Sequence, residues 1–135
     1  MTISDVRSAD TARWACGWLT SLVAVVTAVG EIDASNASAL TEYACANVMG
    51  ARGLILDLSG LDFFGIEGFS ALHRVSVSCA EVGIGWAFVS GAAVSRLLRI
   101  CDPHGSLPAA GTVAAALSTL QRTAATNRGR RGVPR

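Results

Sequence analysis

Apolar and polar positions recur along this chain with two periods, and the switches between them outline its elements. Trp14, Cys16 and Trp18 alternate with small residues, the period-2 signature of a half-buried strand. Leu22 to Val29 follows as an almost unbroken, β-branched apolar run, which predicts a strand covered on both faces. Thr20-Ser21 between them predicts a hairpin. From Ala37 the spacing changes. Ala37, Leu40, Thr41, Ala44, Cys45 and Val48 recur at three and four residues, a helical stripe with an N-cap at Ser35 or Asn36 and a stop at Gly50. Strand character returns at Leu54 to Leu58. A helix from about Ile66 to Val82 then carries Phe69, Leu72, Val75 or Ser76, Cys79 and Ala80 inward, with Gly83 ending it. Ile84 to Val89 reads as another strand. Ser90 or Gly91 starts a helix with Val94, Leu97, Leu98 and Cys101, which Asp102-Pro103 breaks. Ser106 to Pro108 predicts a short edge strand. Thr112 to Gln121 predicts a last helix with Val113, Ala116, Leu117 and Leu120 on one face.

The order β-β-α-β-α-β-α-(β)-α implies an α/β domain with a mixed, mainly parallel sheet of four to five strands and about four helices. It spans residues 13–121, after a flexible lead-in at 1–12 and before a disordered, arginine-rich tail at 122–135. The hydrophobic share is 51%, which raises the question of a membrane. The longest apolar run has eight residues and includes Thr27, whereas a spanning helix needs about 20. Asp5, Arg7, Asp10 and Arg13 precede that run, so the start is unlike a secretory signal, and a cytoplasmic protein is expected. All 11 basic residues are arginines, and those after Gln121 leave the body net acidic. No aromatics interleave with that basic tail, so direct DNA binding is not expected. Cys16, Cys45, Cys79 and Cys101 are widely spaced, with neither a Cys-x-x-Cys pair nor a zinc-ligand pattern. His73 and His104 lack a second ligand at useful spacing. Neither a metal nor another cofactor is expected.

Candidate chemistry concentrates in Leu54 to Leu72, LILDLSGLDFFGIEGFSAL. A strand that ends in a polar loop and feeds a helix start offers outward N–H groups and a positive dipole end, suited to an anion. Here the helix start already carries a carboxylate, Glu67. As an ordinary first-turn acid, Glu67 contributes about 0.3–1 kcal/mol through the dipole.

The element order and two loops resemble the STAS domain of bacterial anti-sigma-factor antagonists, of the actinobacterial type. The resemblance runs from about Trp14 to Gln121. Gly30-Glu31-Ile32-Asp33 is similar to the family's Gly-x-hydrophobic-Asp loop, and Leu56-Asp57-Leu58-Ser59-Gly60-Leu61 to its third strand and following turn. Gly68-Phe69-Ser70-Ala71-Leu72 is similar to the start of its second helix. The resemblance implies a protein without enzymatic activity that binds an anti-sigma factor of the histidine-kinase-like ATPase class and so frees a sigma factor. It also implies a contact patch of Asp33, Ser35, Asp62, Gly65, Ile66, Glu67 and Gly68. In the family the loop reads Asp-Ser-Ser/Thr-Gly, and the second hydroxyl is phosphorylated by the partner. Aligned on Gly68, this chain has Gly65-Ile66-Glu67-Gly68, with Glu67 at the phosphoacceptor position. The usual switch cannot operate there. A carboxylate carries one charge against about two for phosphate, so mimicry by Glu67 is partial.

Other features complete this reading. Ser59 and Ser70 are substitute hydroxyls nearby, and Phe63 and Phe64 are expected to fill core behind the loop. Cys79 and Cys101 end the stripes of consecutive crossover helices, which sets them on one rim as a candidate redox pair if their Cα atoms come within about 7 Å. The alternatives are a permanently phospho-mimicking, inactive or decoy STAS protein and a nucleotide-binding STAS module. A phospho-aspartate receiver centred on Asp57 needs a lysine, and the chain has none. A small α/β enzyme finds no Gly-x-Ser-x-Gly elbow and no Walker loop.

Overall fold

Alternation along the central strands sorts the interior into two layers. The computed structural model describes the backbone of residues 2–9 and 11–131, with side chains from 11 to 122. Its elements are β1 (Thr2–Ala9), β2 (Ala12–Trp18), β3 (Val23–Ile32), α1 (Ala37–Ala46), β4 (Gly53–Phe64), α2 (Ile66–Val82), β5 (Gly85–Val89), α3 (Gly91–Cys101), β6 (Ala109–Ala110) and α4 (Val113–Arg131). The six strands lie in sequence order in one sheet. Strands β1, β2 and β3 pair antiparallel, and β3 to β6 pair parallel.

Ala24, Val26, Leu54, Leu56 and Leu58 face one side, under α1, α2 and α3. Val25, Ile55, Ala87 and Val89 face the other, where Ala116 and Leu120 of α4 cover them. Each large side chain buried this way contributes about 1.5–3 kcal/mol. The continuous apolar run of β3 is thus explained by a sheet covered on both faces. The stripes of α1 and α4 lie where the spacing puts them: Ala37, Leu40, Thr41 and Ala44 of α1 are buried, as are Ala116 and Leu120 of α4. In α2 the stripe turns slightly, to Gly68, Ala71, Leu72, Val75 and Cys79.

Three expectations are corrected. Thr2–Ala9, read as a flexible lead-in, forms edge strand β1 against β2; Met1 and Asp10 lie outside the described residues. Helix α4 continues through the expected disordered tail to Arg131, and residues 132–135 lie outside the described residues. Strand β4 does not stop at Leu58 but runs on to Phe64. It does so by bulging twice: Thr27 pairs with Asp57 but Val29 with Gly60, and Gly30 with Leu61 but Glu31 with Phe63. Each bulge adds one residue to β4 and bends it. This extension positions the site.

Candidate functional site

The two loops singled out in the sequence meet at the far end of β3 and β4. Ile32 pairs with Phe64, and the Gly65 N–H donates to the Ile32 carbonyl at 2.9 Å. Asp33 and Gly65 are therefore the next residues along two adjacent parallel strands. Asp33, Ser35, Asp62 and the Gly65–Gly68 turn share one rim of the sheet.

The Asp33 loop is held from within. Gly30, near the end of β3, has φ +101°, and the Glu31 N–H donates to the Thr11 carbonyl at 3.2 Å. Asn36, fully buried, occupies the N-cap position of α1, yet its side chain turns backward. Its Nδ2 donates to the Glu31 carbonyl at 2.8 Å, and its Oδ1 accepts the Asp33 N–H at 3.0 Å. The Asp33 carboxylate accepts from the Ser35 N–H at 2.9 Å and from the Ser35 hydroxyl. The Ser35 hydroxyl, then its backbone N–H, hold the Asp33 carboxyl below the usual carboxylate range. Asp33 thus presents a fixed negative charge at the rim.

Helix α2 starts at a glycine N-cap, Gly65, in extended conformation. A Cβ on Gly65 would meet Glu67 Oε1 at 2.8 Å. The Glu67 carboxylate therefore curls back over the place where an aspartate side chain would begin. An acid at 65 and the Glu67 carboxylate in this position would share the same space, and the flexible end of Glu67 would have to swing aside. Gly68 has a different role, because a Cβ there would meet the Phe64 ring at 2.4 Å. Its absence lets Phe64 lie against the first turn of α2, under the loop.

Phe64 fills core as expected, but Phe63 is 50% exposed, which corrects the expectation that both are buried. Successive strand residues point to opposite faces, so Phe63 does not share the buried side of Phe64. Ser59 donates its hydroxyl to Asp57 at 2.6 Å, and Ser70 is exposed on α2. His73 packs edge-on against Phe69 at 4.7 Å. Among the described residues no group of His, Cys, Asp and Glu is arranged to hold a metal.

No disulfide joins any of Cys16, Cys45, Cys79 and Cys101. Cys79 is buried, and burial, followed by the neighbouring Cys45, pushes its thiol up to about 12. Cys45 itself lies on α1 and donates to the Ser78 hydroxyl at 3.1 Å. The cysteine whose charge reaches Cys79 is thus Cys45, a neighbour that spacing along the chain did not suggest. Sequence reasoning also missed the backward role of Asn36 and the exposed Arg96 and Ile100 of α3, which stand across from Phe63 and Ile66. A signal for Ile100 was present: it is an aliphatic residue outside the α3 stripe.

Comparison with known proteins agrees with this geometry. The family model described as STAS domain matches residues 20–116. The chain is 38% identical over 107 residues to Osmosensory protein A of Mycobacterium tuberculosis (strain ATCC 25618 / H37Rv), covering 76% of this chain and 68% of that one. It is 33% identical over 98 residues to the anti-sigma-F factor antagonist RsfA of Mycobacterium tuberculosis (strain CDC 1551 / Oshkosh), covering 70% and 77%. The crystal structure of an anti-sigma factor antagonist from Mycobacterium paratuberculosis superposes with a TM-score of 0.71 at 27% identity, covering 83% of this chain and 96% of that one. No helix among the described residues is long and apolar enough to cross a membrane. With its sheet order, its paired loops and these relatives in agreement, the chain belongs to the STAS family, among the anti-sigma-factor antagonists.

Proposed function

We propose that this protein is a cytoplasmic anti-sigma-factor antagonist that binds an anti-sigma factor of the histidine-kinase-like ATPase class and thereby frees a sigma factor, without phosphorylation at the usual position. The observation that carries this reading is the Ile32–Phe64 pairing, which sets Asp33 beside a Gly65–Gly68 turn with a carboxylate in the acceptor's place. The mechanism is competition for a surface: the chain occupies the anti-sigma factor and no bond is made or broken. Asp33, Ser35, Asp62, Gly65, Ile66, Glu67 and Gly68 form the contact. The name of the mycobacterial relative RsfA supports the partner class at the level of an anti-sigma factor.

Control through Cys79 and Cys101 belongs to the same proposal. The high-lying Cys79 thiol is a poor nucleophile at neutral pH. A peroxide would therefore act first at the half-buried Cys101, giving a sulfenic acid and water. Cys79, once deprotonated and released from its buried site, then attacks that sulfenic sulfur, expelling a second water and forming the disulfide.

The test is to titrate the chain into a purified anti-sigma–sigma complex with and without reductant. Release of sigma factor is expected, more in one redox state than in the other. No release in either state would sink the antagonist reading. Equal release in both, with no Cys79–Cys101 peptide by mass spectrometry, would remove the redox control.

A second reading rests on the Glu67 carboxylate folded over the helix start, where it repels a nucleotide phosphate and imitates a bound one. If Glu67 acts as a permanent phosphate, Glu67→Ser should raise affinity for the anti-sigma factor by roughly tenfold, the equivalent of about 1.4 kcal/mol. Unchanged affinity would leave Glu67 as a contact residue only.

A further inference from the structure

Across the rim from Asp33, the β4–α2 turn and helix α3 enclose a groove of about 360 Å³. The β4–α2 side contributes Asp62, Phe63 and Ile66 to its lining, and the α3 side contributes Arg96, Leu97 and Ile100. Phe63 is 50% exposed, Ile66 61% and Ile100 79%. Exposed large apolar residues scattered singly need no explanation, but three gathered around one groove mark an interaction surface. None of the three is required by its own element. Phe63 points away from the core, Ile66 is exposed in the first turn of α2, and Ile100 lies off the α3 stripe.

Ile66 stands where the family loop has its first hydroxyl, and Gly65 where it has its acid. Next to the position that lost the phosphoacceptor, the groove is therefore lined by a glycine and an isoleucine, with no polar side chain at 65 or 66. The two sides carry opposite charge, Asp62 against Arg96. A partner segment that lies across them meets apolar side chains, a base-seeking side and an acid-seeking side, which fixes its direction as well as its site.

We propose that this groove seats an aliphatic side chain of the anti-sigma factor, with a neighbouring carboxylate of that partner on Arg96, so that α3 forms the second half of the partner contact. This rests on the proposed antagonist function and deepens it. Binding is then driven by burial of apolar surface at the groove and oriented by the two charges, a mode of recognition that needs no phosphate switch.

The test uses the full chain and a purified histidine-kinase-like anti-sigma factor, with affinities measured by calorimetry for the unaltered chain, Ile100→Glu and Arg96→Glu. Both positions are exposed, so circular dichroism and thermal unfolding should match the unaltered chain. Ile100→Glu is expected to weaken binding by roughly tenfold or more. Arg96→Glu should weaken it too, with the difference shrinking as salt rises. Affinities within about twofold of the unaltered chain for both variants would overturn the groove while leaving the antagonist function standing. No binding by the unaltered chain would overturn both. Self-association that Ile100→Glu abolishes without changing partner affinity would assign the groove to a second copy and also overturn the proposal.

Discussion

Gly30→Ala is expected to lower the stability of the fold by about 2–6 kcal/mol, the sum of a strained backbone and an overpacked contact. Gly30 has φ +101°, a region that residues with a Cβ occupy only at a cost. A Cβ there would lie 2.2 Å from the Thr11 carbonyl oxygen. That oxygen belongs to backbone, not to the end of a flexible side chain, and it also accepts the Glu31 N–H. Relief requires β2 and β3 to separate where Ala12 pairs with Gly30. Against a total of about 5–15 kcal/mol for a domain, the loss is large. Urea unfolding at constant m-value measures it. A change below about 1 kcal/mol would mean that the turn relaxes and that Gly30 does not fix the Asp33 loop.

Asn36→Ala is expected to destabilise by about 1–3 kcal/mol and to weaken anti-sigma binding as well. The fully buried Asn36 side chain satisfies the Glu31 carbonyl and the Asp33 N–H at once. Alanine leaves both backbone groups without that partner. The same loss frees the segment that orients Asp33, so affinity should fall beyond what the stability change alone explains. Asn36→Asp sharpens the result. It keeps an acceptor but places an ionisable group in a buried site, whose pKa rises. A raised folded-state pKa means stability is greater below the shifted value and is lost as pH rises through it. The aspartate variant should therefore gain stability on acidification relative to the alanine variant. Identical pH profiles for the two would show that position 36 is not the buried anchor of the loop.

Local periodicity was enough for most of the fold, because each interior face repeats within one element. Trp14 and Cys16 declared β2, and Leu40, Thr41 and Ala44 declared the inner side of α1. Where backbone pairing or propensity acts without an apolar pattern, the elements were not legible. Strand β1 has only Ile3 and Val6 among its large apolar residues and is held as an edge by pairing with β2. The far end of α4 carries threonine, asparagine and arginine with no stripe. Strand β4 passes Ser59-Gly60, which reads as a turn, because two bulges absorb the polar residues without breaking the ladder.

At the site, the order Gly30–Asp33 and Gly65–Gly68 was readable, and the pairing that unites them is a consequence of the same strands. The curl of Glu67 over Gly65, the backward turn of Asn36 and the placing of Ile100 across from Ile66 are tertiary facts. They depend on approach between elements whose separation in sequence carries no local signal. The placing of Phe63 is intermediate: alternation sets it on the face opposite to Phe64 once β4 is known to extend that far, but its exposure depends on what covers that face.

The central proposal is that this antagonist engages its partner through the Asp33 and Gly65–Gly68 rim without a phosphoacceptor at position 67. The chain, a purified histidine-kinase-like anti-sigma factor and radiolabelled ATP, incubated together and followed for both label and complex, test that claim most directly. The account predicts that the complex persists in the presence of ATP and that no label appears on the chain. Label on Ser59, Ser70 or any other hydroxyl, accompanied by release of the anti-sigma factor, would contradict it.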